Sequence, residues 1–281
     1  MSRRWQQVRH QLRRNRPAQF SLFVLFIFVV AALCAGLSPY DPDRMALGAR
    51  TLPPDAAHWF GTDEYGRDYF TRALYGGQIS LMVGFLAMLF STLIGTVVGT
   101  VSGYFGGWLD NLMMRAVDIL MAIPAFFLLL VVNAYLKPGV DNIILIISLL
   151  TWMNMSRLVR AETLSIKERE YVLYARASGE NPLRIIARHI IPGVLPTIIV
   201  AATLNIASAI LMESTLSFLG LGVQQPAASW GSMLNNAQSY IGEASWLAMF
   251  PGILILLTVF SFNVLGDVFR TAFEPGANRD A

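Results

Sequence analysis

The chain has 281 residues, of which 55% are hydrophobic and only 14% charged, and its formal net charge is +3. This composition excludes an ordinary soluble globular protein, because long uncharged runs of Leu, Ile, Val and Phe are what a bilayer requires. The single cysteine, Cys34, excludes a disulfide framework. The basic residues cluster at the ends of apolar runs, which indicates membrane topology rather than nucleic-acid binding.

Six membrane helices are predicted, each close to the roughly 20 residues that cross about 30 Å of hydrocarbon. They cover Ala18–Leu37, Ile79–Ser102, Ala116–Leu136, Val140–Leu158, Val194–Leu219 and Trp246–Leu265. The six arginines before Pro17 would also suit a signal peptide. The first apolar run is longer than a signal core, however, which favours an uncleaved first helix.

The distribution of Lys and Arg predicts that both termini are cytoplasmic. With the N-terminus inside, sixteen of the 21 basic residues lie in cytoplasmic segments and five lie in outer loops. We therefore expect an all-α integral membrane protein with three regions. These are an N-terminal region of residues 1–77, a main membrane domain of residues 78–270 with a cytoplasmic loop 159–193, and a cytoplasmic tail of residues 271–281.

The outer loop after the first helix contains the segment HWFGTDEYGRDYFTRALYGG. Its Asp63, Arg67 and Asp68 allow two interpretations. They form either a surface salt-bridged elbow that positions the second helix, or a portion of a docking surface for an external protein.

The second predicted helix repeats glycine at every fourth position, at Gly95, Gly99 and Gly103. In lipid, small residues let helix backbones approach and pack closely. The repeat therefore indicates tight packing within the bundle, with a pathway lined by bare backbone as the alternative.

The third predicted helix begins with Arg115 and Asp118 and contains Pro124. The charged residues lie at the cytoplasmic end, where they avoid the cost of a charge at the membrane centre. They serve either as a structural anchor or, because Pro124 removes a backbone hydrogen bond and bends the helix, as elements of an inner gate.

Glu213 is the only carboxylate well inside an apolar run. At 1.5 Å per residue it lies about 25 Å along its helix, near the outer interface. An intramembrane acid is a functional candidate, but near an interface Glu213 can also snorkel or bond with Ser214 or Ser217. The stretch that follows, LSFLGLGVQQPAASWGSMLNNA, indicates a re-entrant or interfacial segment rather than a free loop.

The cytoplasmic loop contains two short amphipathic helices joined by a tight turn. Glu170 to Ser178 has no helix breaker, and Gly179 follows where a left-handed helix end favours glycine. Asn181 is predicted to cap the second helix, with Pro182 at its first position. In that helix one face is expected to hold Leu183, Ile186, Ala187 and Ile190, and another to hold Arg184 and Arg188.

This loop resembles the cytoplasmic "EAA" loop of ABC-importer permeases. Ala175, Gly179 and Pro192 match the pattern at the required spacing, whereas Leu173 and Tyr174 replace its Glu and first Ala, and Ile191 stands where Leu is usual. The GTD-x-x-GRD segment and the ESTLSFLGLG–WG region are similar to the peptide/nickel class of these permeases. The resemblance covers essentially the whole chain.

The resemblance implies a type I ABC-importer permease fold in a bacterial inner membrane. It also implies a second homologous permease subunit, one or two ATPase subunits that carry ATP and Mg, and an external solute-binding protein, with no cofactor on this chain. Short peptides are the implied substrates, with nickel or peptide-like conjugates as alternatives. The residues expected to couple to the ATPase are Arg169, Glu170, Tyr171, Tyr174, Ala175, Arg176, Ser178 and Gly179; those expected at a gate or pathway are Arg115, Asp118, Pro124 and Glu213.

The sequence gives no indication of an enzyme. No phosphate-binding P-loop, HExxH motif or GxSxG turn is present, and His189 is expected to pack or pair rather than bind a metal. A self-contained secondary transporter and a membrane-anchored scaffold are the competing functions. Secondary transporters usually carry mid-membrane ionisable residues and two related halves, and no internal repeat is visible here.

Overall fold

A computed structural model describes residues 2–124, 127–128, 131–132, 135 and 139–273, and these are organised as a bundle of helices. The N-terminal half contains α1 (Ser2–Arg14), α2 (Arg16–Leu33), α3 (Tyr69–Phe105) and α4 (Gly107–Ala122). The C-terminal half contains α5 (Val140–Lys167), α6 (Glu170–Ala177), α7 (Pro182–Ile185), α8 (Ile191–Phe218), α9 (Trp230–Ala237) and α10 (Trp246–Phe273). Short 3₁₀ turns cover Ala35–Leu37, Leu47–Ala49 and Gln238–Tyr240.

Five helices among the described residues are long and apolar enough to cross a membrane. They are Arg16–Leu33, Tyr69–Phe105, Val140–Lys167, Pro182–Phe218 and Trp246–Phe273. The fourth of these is a continuous helical run that comprises α7, a π-helical segment (Ile186–Ile190) and α8. The first, second, fourth, fifth and sixth predicted helices are therefore confirmed, although four of them are longer than predicted. The second begins early, at Tyr69, because the Asp68 carboxylate caps it by accepting from the Thr71 backbone N–H at 2.7 Å.

The third predicted helix, Ala116–Leu136, is wrong as a single continuous helix. Helix α4 begins at Gly107 and ends at Ala122, and Ile123 is extended, as the residue before a proline tends to be. The Pro124 carbonyl then accepts from the backbone N–H groups of Phe127 and Leu128. The rest of the predicted span, up to Leu136, lies largely outside the described residues.

The arginine-rich N-terminus forms α1, a helix that the sequence patterns did not predict. It packs on α10, the last helix of the described chain. Asn15 separates α1 from α2 and caps α2, because its side-chain oxygen accepts from the Ala18 backbone N–H at 3.3 Å.

The α3–α5 contact is the most extensive helix pairing in the structure. A β-carbon added at Gly95 would lie 2.6 Å from the Met155 side chain, and one at Gly103 would lie 2.8 Å from that of Thr163. The glycine repeat therefore packs directly against α5. This confirms the packing interpretation over a pathway lined by bare backbone.

We expect Gly99→Ala to destabilise the protein by about 1–3 kcal/mol through overpacking. A β-carbon at Gly99 would lie 2.5 Å from the Ser156 carbonyl oxygen and 2.8 Å from Cβ of Val159, so the two backbones would have to separate. Thermal unfolding of the detergent-solubilised protein measures the effect. The control is Gly252→Ala in α10, where a β-carbon meets nothing within 4 Å and alanine should be neutral or stabilising. Equal melting temperatures for the two variants would contradict this account of the α3–α5 contact.

Candidate functional site

The loop predicted to be cytoplasmic follows α5, and its first helix, α6, begins after only two further residues. Lys167, the last residue of α5, donates from Nζ to the Gly103 carbonyl at 3.0 Å, which fixes the end of α5 against the end of α3. Helix α6 then runs from Glu170 to Ala177. The loop is thus carried on the end of a 28-residue helix that packs along α3.

The turn between the two loop helices forms as predicted. Gly179 has a φ of +76°, in the left-handed region that favours glycine. The Glu180 backbone N–H donates to the Ala175 carbonyl at 3.1 Å, which closes the end of α6. Asn181 then caps α7 through its side-chain oxygen, which accepts from the Leu183 backbone N–H at 2.9 Å, and Pro182 is the first residue of α7.

The inward face of the second loop helix differs from the prediction. Ile185, Ile186 and Ile190 are buried, whereas Leu183 is 68% exposed and Ala187 is also exposed. A π-helical segment, Ile186–Ile190, widens the helix at this point and shifts the inward face. Arg184 and Arg188 are exposed, as predicted.

A hydrophobic cluster attaches the loop to α5. It joins Val172 and Ala175 of α6 and the buried isoleucines of the second loop helix to three residues of α5, namely Met155, Val159 and Ile166. Ala175 is only 8% exposed and belongs to this cluster. Its side chain is used mainly in packing α6 on the bundle, and the coupling role of Ala175 stays a prediction.

The face of the loop that is turned away from α5 forms an open groove of about 760 Å³ between α6 and the π-helical segment. Five residues predicted to couple to an ATPase line it: Glu170, Tyr171, Tyr174, Ala175 and Ser178. Arg169 and Arg176 are exposed but do not line the groove, and Gly179 lies at the turn. The structure therefore brings most of the predicted set together around one surface.

Three further residues line this groove and were not in the predicted set: Glu180, Arg188 and His189. His189 Nε2 lies 3.4 Å from Glu180 Oε2, and its ring lies 6.1 Å from that of Tyr171. The expectation that His189 packs or pairs is confirmed. Its place in the groove depends on the π-helical segment, for which the sequence carries no simple signal.

The predicted gate residues of α4 do not pair with each other. Asp118 forms an ion pair with Arg157 of α5, whereas Arg115 is exposed. Pro124 lies at the break after α4 and does not bend a continuous helix. The structural-anchor interpretation is therefore supported for Asp118, while a gating role stays a prediction for all three residues.

A second contact between α4 and α5 involves Asp110, which the sequence patterns did not single out. Arg160 donates to both carboxylate oxygens of Asp110, at 2.5 and 2.6 Å, and the Ser102 hydroxyl of α3 donates to the same carboxylate. These hydrogen bonds, that of Arg160 above all, hold the pKa of the Asp110 carboxyl below its ordinary value. Asp110, in the first turn of α4, therefore joins α4 to the last turn of α3 and to α5.

Glu213 is fully buried, with 0% exposure, so the snorkelling interpretation is wrong. Its carboxylate accepts from Ser217 at 2.7 Å, Ser80 at 3.0 Å and Ser214 at 3.5 Å, and it also bonds with the Ser229 hydroxyl. The predicted contacts with Ser214 and Ser217 are confirmed; those with Ser80 of α3 and Ser229 before α9 come from elements distant in sequence. Among the described residues, no basic side chain forms an ion pair with Glu213.

The segment after α8 packs against the bundle, as predicted for an interfacial segment. Its helix α9 contacts α3, α8 and α10, and Trp230 is buried with its indole N–H donating to the Ala73 carbonyl at 3.0 Å. The Trp230 backbone N–H donates to Ser80 Oγ at 3.2 Å. This bond connects α9 to the group formed by Glu213 and its serine partners, here called the Glu213 centre. The chain between α8 and α10 is thus attached to three helices.

The Asp63, Arg67 and Asp68 side chains form an elbow that positions α3, but they are buried rather than on the surface. Arg67 Nε lies 2.6 Å from Asp63 Oδ2, and the capping carboxylate of Asp68 lies 2.8 Å from His58 Nδ1. The neighbouring Glu64 is also largely buried. Burial raises the pKa of its carboxyl, and the negative charge of Asp63 raises it further. Because the three predicted side chains have almost no exposed surface, the alternative in which they dock an external protein is not supported.

Among the residues that the structure describes, no group of three or more His, Cys, Asp or Glu side chains could hold a metal ion. His58 and His189 each lie against one carboxylate, and His10 is exposed on α1. These contacts hold loops and helices in place. The groove itself is lined by two tyrosines and by charged side chains of both signs.

Comparison with known proteins identifies two matching families. Residues 91–279 match the family described as "Binding-protein-dependent transport system inner membrane component", and residues 3–54 match the "N-terminal TM domain of oligopeptide transport permease C". The first match covers α6, α7 and Glu213, but not Ser80, one of the hydrogen-bond partners of Glu213. The second covers α1 and α2.

Relatives match over almost the whole chain. The dipeptide transport system permease protein DppC of Bacillus subtilis is 43% identical over 96% of this chain and 85% of its own length. A putative peptide permease of Brucella suis is 42% identical over 94% of this chain and 88% of its own length. The oligopeptide transport system permease protein OppC of Escherichia coli K12 is 41% identical over 96% of this chain and 91% of its own length.

A solved structure of the MetNI methionine ABC transporter in an inward-facing conformation has a similar fold. One of its chains aligns with 70% of this chain and 94% of its own length, with a TM-score of 0.59 and 20% sequence identity. At that identity the likeness concerns the fold alone, which agrees with the expected type I importer permease architecture.

We expect Glu213→Ala to destabilise the protein by about 1–3 kcal/mol, because it leaves the buried hydroxyls of Ser80 and Ser217 without their acceptor. Glu213→Gln should cost less, since its amide oxygen can still accept. The control is Ser208→Ala on the same helix, where the hydroxyl is exposed and donates only to the Leu204 carbonyl. Thermal unfolding in detergent ranks the three variants, and a Glu213→Ala melting temperature no lower than that of the control would refute the assignment.

Proposed function

Because this chain belongs to the family of binding-protein-dependent transport system inner membrane components, we propose that it is a permease subunit of an ATP-driven importer of short peptides. The observation that carries this proposal is identity of 41–43% to a dipeptide, an oligopeptide and a putative peptide permease over at least 94% of the chain. The chain would form half of the translocation pathway in a bacterial inner membrane.

The proposed assembly contains a second homologous permease, one or two ATP-binding subunits and an external solute-binding protein that delivers the peptide. ATP and Mg bind to the ATPase subunits, and this chain carries no cofactor. The groove beside α6 is the proposed ATPase contact. Its exposed Tyr171 and Tyr174 support this role, since tyrosines are frequent anchors in protein interfaces.

The packing of the loop suggests how movement of the ATPase would reach the membrane. Val172 and Ile185 are buried in the cluster that includes Ile166 of α5, so a force applied to α6 acts on α5 as well. The Asp110–Arg160 and Asp118–Arg157 ion pairs then connect α5 to α4. In this proposal, closure of the ATPase dimer moves α4, α5 and α6 together and switches the access of the pathway.

There are two alternatives to this proposal: the same assembly with another cargo, and a transporter that consists of this chain alone. The cargo could be nickel or a peptide-like conjugate, because selectivity in such systems rests largely with the external binding protein. A self-contained secondary transporter is the other alternative. It would show solute flux driven by an ion gradient, with no ATPase present.

Uptake by proteoliposomes tests the proposal. They would contain this chain, its partner permease, the ATPases and the binding protein. We expect accumulation of a labelled dipeptide or tripeptide that requires both ATP and the binding protein. Nickel uptake without peptide uptake would favour the first alternative. Peptide flux through this chain alone, driven by an imposed ion gradient, would refute the ATP-driven proposal.

Truncation of the groove tyrosine tests the proposed ATPase contact. Tyr174 is 76% exposed, so Tyr174→Ala should leave the fold intact while weakening ATPase binding at least tenfold, as expected for an interface anchor. The matched control is Tyr135→Ala, an exposed tyrosine that precedes the start of α5, at the end remote from α6. Binding of the purified ATPase to the reconstituted permease pair is the measurement. Unchanged affinity in Tyr174→Ala would remove the groove from the proposal while leaving the peptide assignment open to its own test.

A further inference from the structure

The N-terminal helix presents a strongly basic surface that the proposed transport mechanism does not use. No Asp or Glu occurs before Asp41, whereas six arginines precede Pro17. Arg9, Arg13 and Arg14 of α1 are exposed, as is Arg16 at the start of α2. None of these four forms an ion pair with another described residue.

Helix α1 is held in a fixed position next to the first membrane span. Val8 is buried, and the helix packs on α10. Gln19 of α2 donates from Nε2 to the Arg13 carbonyl at 2.8 Å, and only Asn15 separates the two helices. The arginines are therefore presented where the chain enters the hydrocarbon.

The charge on α1 is not compensated within the described residues of the protein. Arg13 and Arg14 interact favourably with the negative end of the helix dipole, because they lie in the last turn. Arg9 lies outside that turn and four residues before Arg13, so the two like charges repel each other across one helical turn. An external anion that neutralises this surface would therefore stabilise the helix as well as bind to it.

We propose that the exposed arginines of α1 bind the headgroups of anionic phospholipids in the leaflet where α2 begins. A basic amphipathic helix directly before a membrane span lies at headgroup level, and arginines there are attracted to anionic lipid. Arg9 to Arg16 extend over about 10 Å of chain at 1.5 Å per residue, which suits a layer of headgroups better than one small anion. The inference depends on the membrane setting of the family and is independent of the proposed ATPase contact.

Lipid titration of the purified full chain tests this inference. Native mass spectrometry would follow the binding of POPG and of POPC to the wild type and to three double variants. Arg9→Gln/Arg13→Gln removes two charges from α1, and Arg9→Lys/Arg13→Lys keeps them. Arg44→Gln/Arg50→Gln removes two arginines from the loop between α2 and α3 and serves as the matched control.

We expect the wild type to prefer POPG and the glutamine variant of α1 to bind it roughly 30-fold more weakly, at about 1 kcal/mol per arginine. The lysine variant and the Arg44/Arg50 control should retain the preference, and all variants should keep the wild-type melting temperature. Because charges at a surface are screened, the preference should also weaken in high salt.

Several results would overturn the inference. One is equal binding of POPG and POPC by the wild type, and another is an equal loss in the α1 and control variants. Displacement of POPG by inorganic phosphate at a matched concentration would identify a general anion site. If the glutamine variant of α1 kept its POPG but lost binding to the purified ATPase, the arginine surface would be a protein contact.

Discussion

The close approach of α3 and α5 is the constraint on which the rest of the structure depends. Lipid offers no hydrophobic drive to bring helices together, so contact must come from shape, and Gly95, Gly99 and Gly103 remove the side chains that would separate the two backbones. The contact fixes α5 along the length of α3. Since α6 follows α5 after two residues and packs on its end, the position of the cytoplasmic loop follows from this pairing.

Two buried or partly buried carboxylates in the bundle, Glu213 and Asp110, follow a second rule, which is that each bonds with side chains of neighbouring helices. Glu213 is surrounded by serine hydroxyls from α3, α8 and the residue before α9, and Asp110 joins Ser102 of α3 to Arg160 of α5. An unsatisfied carboxylate in an apolar environment would be costly. These two centres, one near each end of the bundle, therefore specify which helices are neighbours, as the glycine contacts specify how closely they approach.

Features set by neighbours in sequence could be predicted, and features set by distant partners could not. The stop at Gly179, the Asn181 cap and Pro182 at the start of α7 depend on a few adjacent residues, and all three are found. By contrast, the π-helical segment Ile186–Ile190 exposes Leu183 and buries Ile185, which a regular 3.6-residue period does not anticipate. The partners of Asp118 and Glu213 were incompletely predicted because Arg157 and Ser80 become neighbours only through the packing of α5 and α3.

The two sides of the cytoplasmic loop have opposite physical characters, and this contrast explains how a short loop could transmit force. On the inner side, Val172, Ile185 and Ile190 are almost fully buried against α5, so the loop cannot move far without carrying that helix. The face turned away from α5 borders an open groove and has no comparable packing; its side chains include those of Tyr171, Tyr174 and Arg188. A flexible loop would absorb the movement of a docked partner as local rearrangement. A loop packed on one side and open on the other would instead pass that movement to α5 and, through Asp110 and Asp118, to α4.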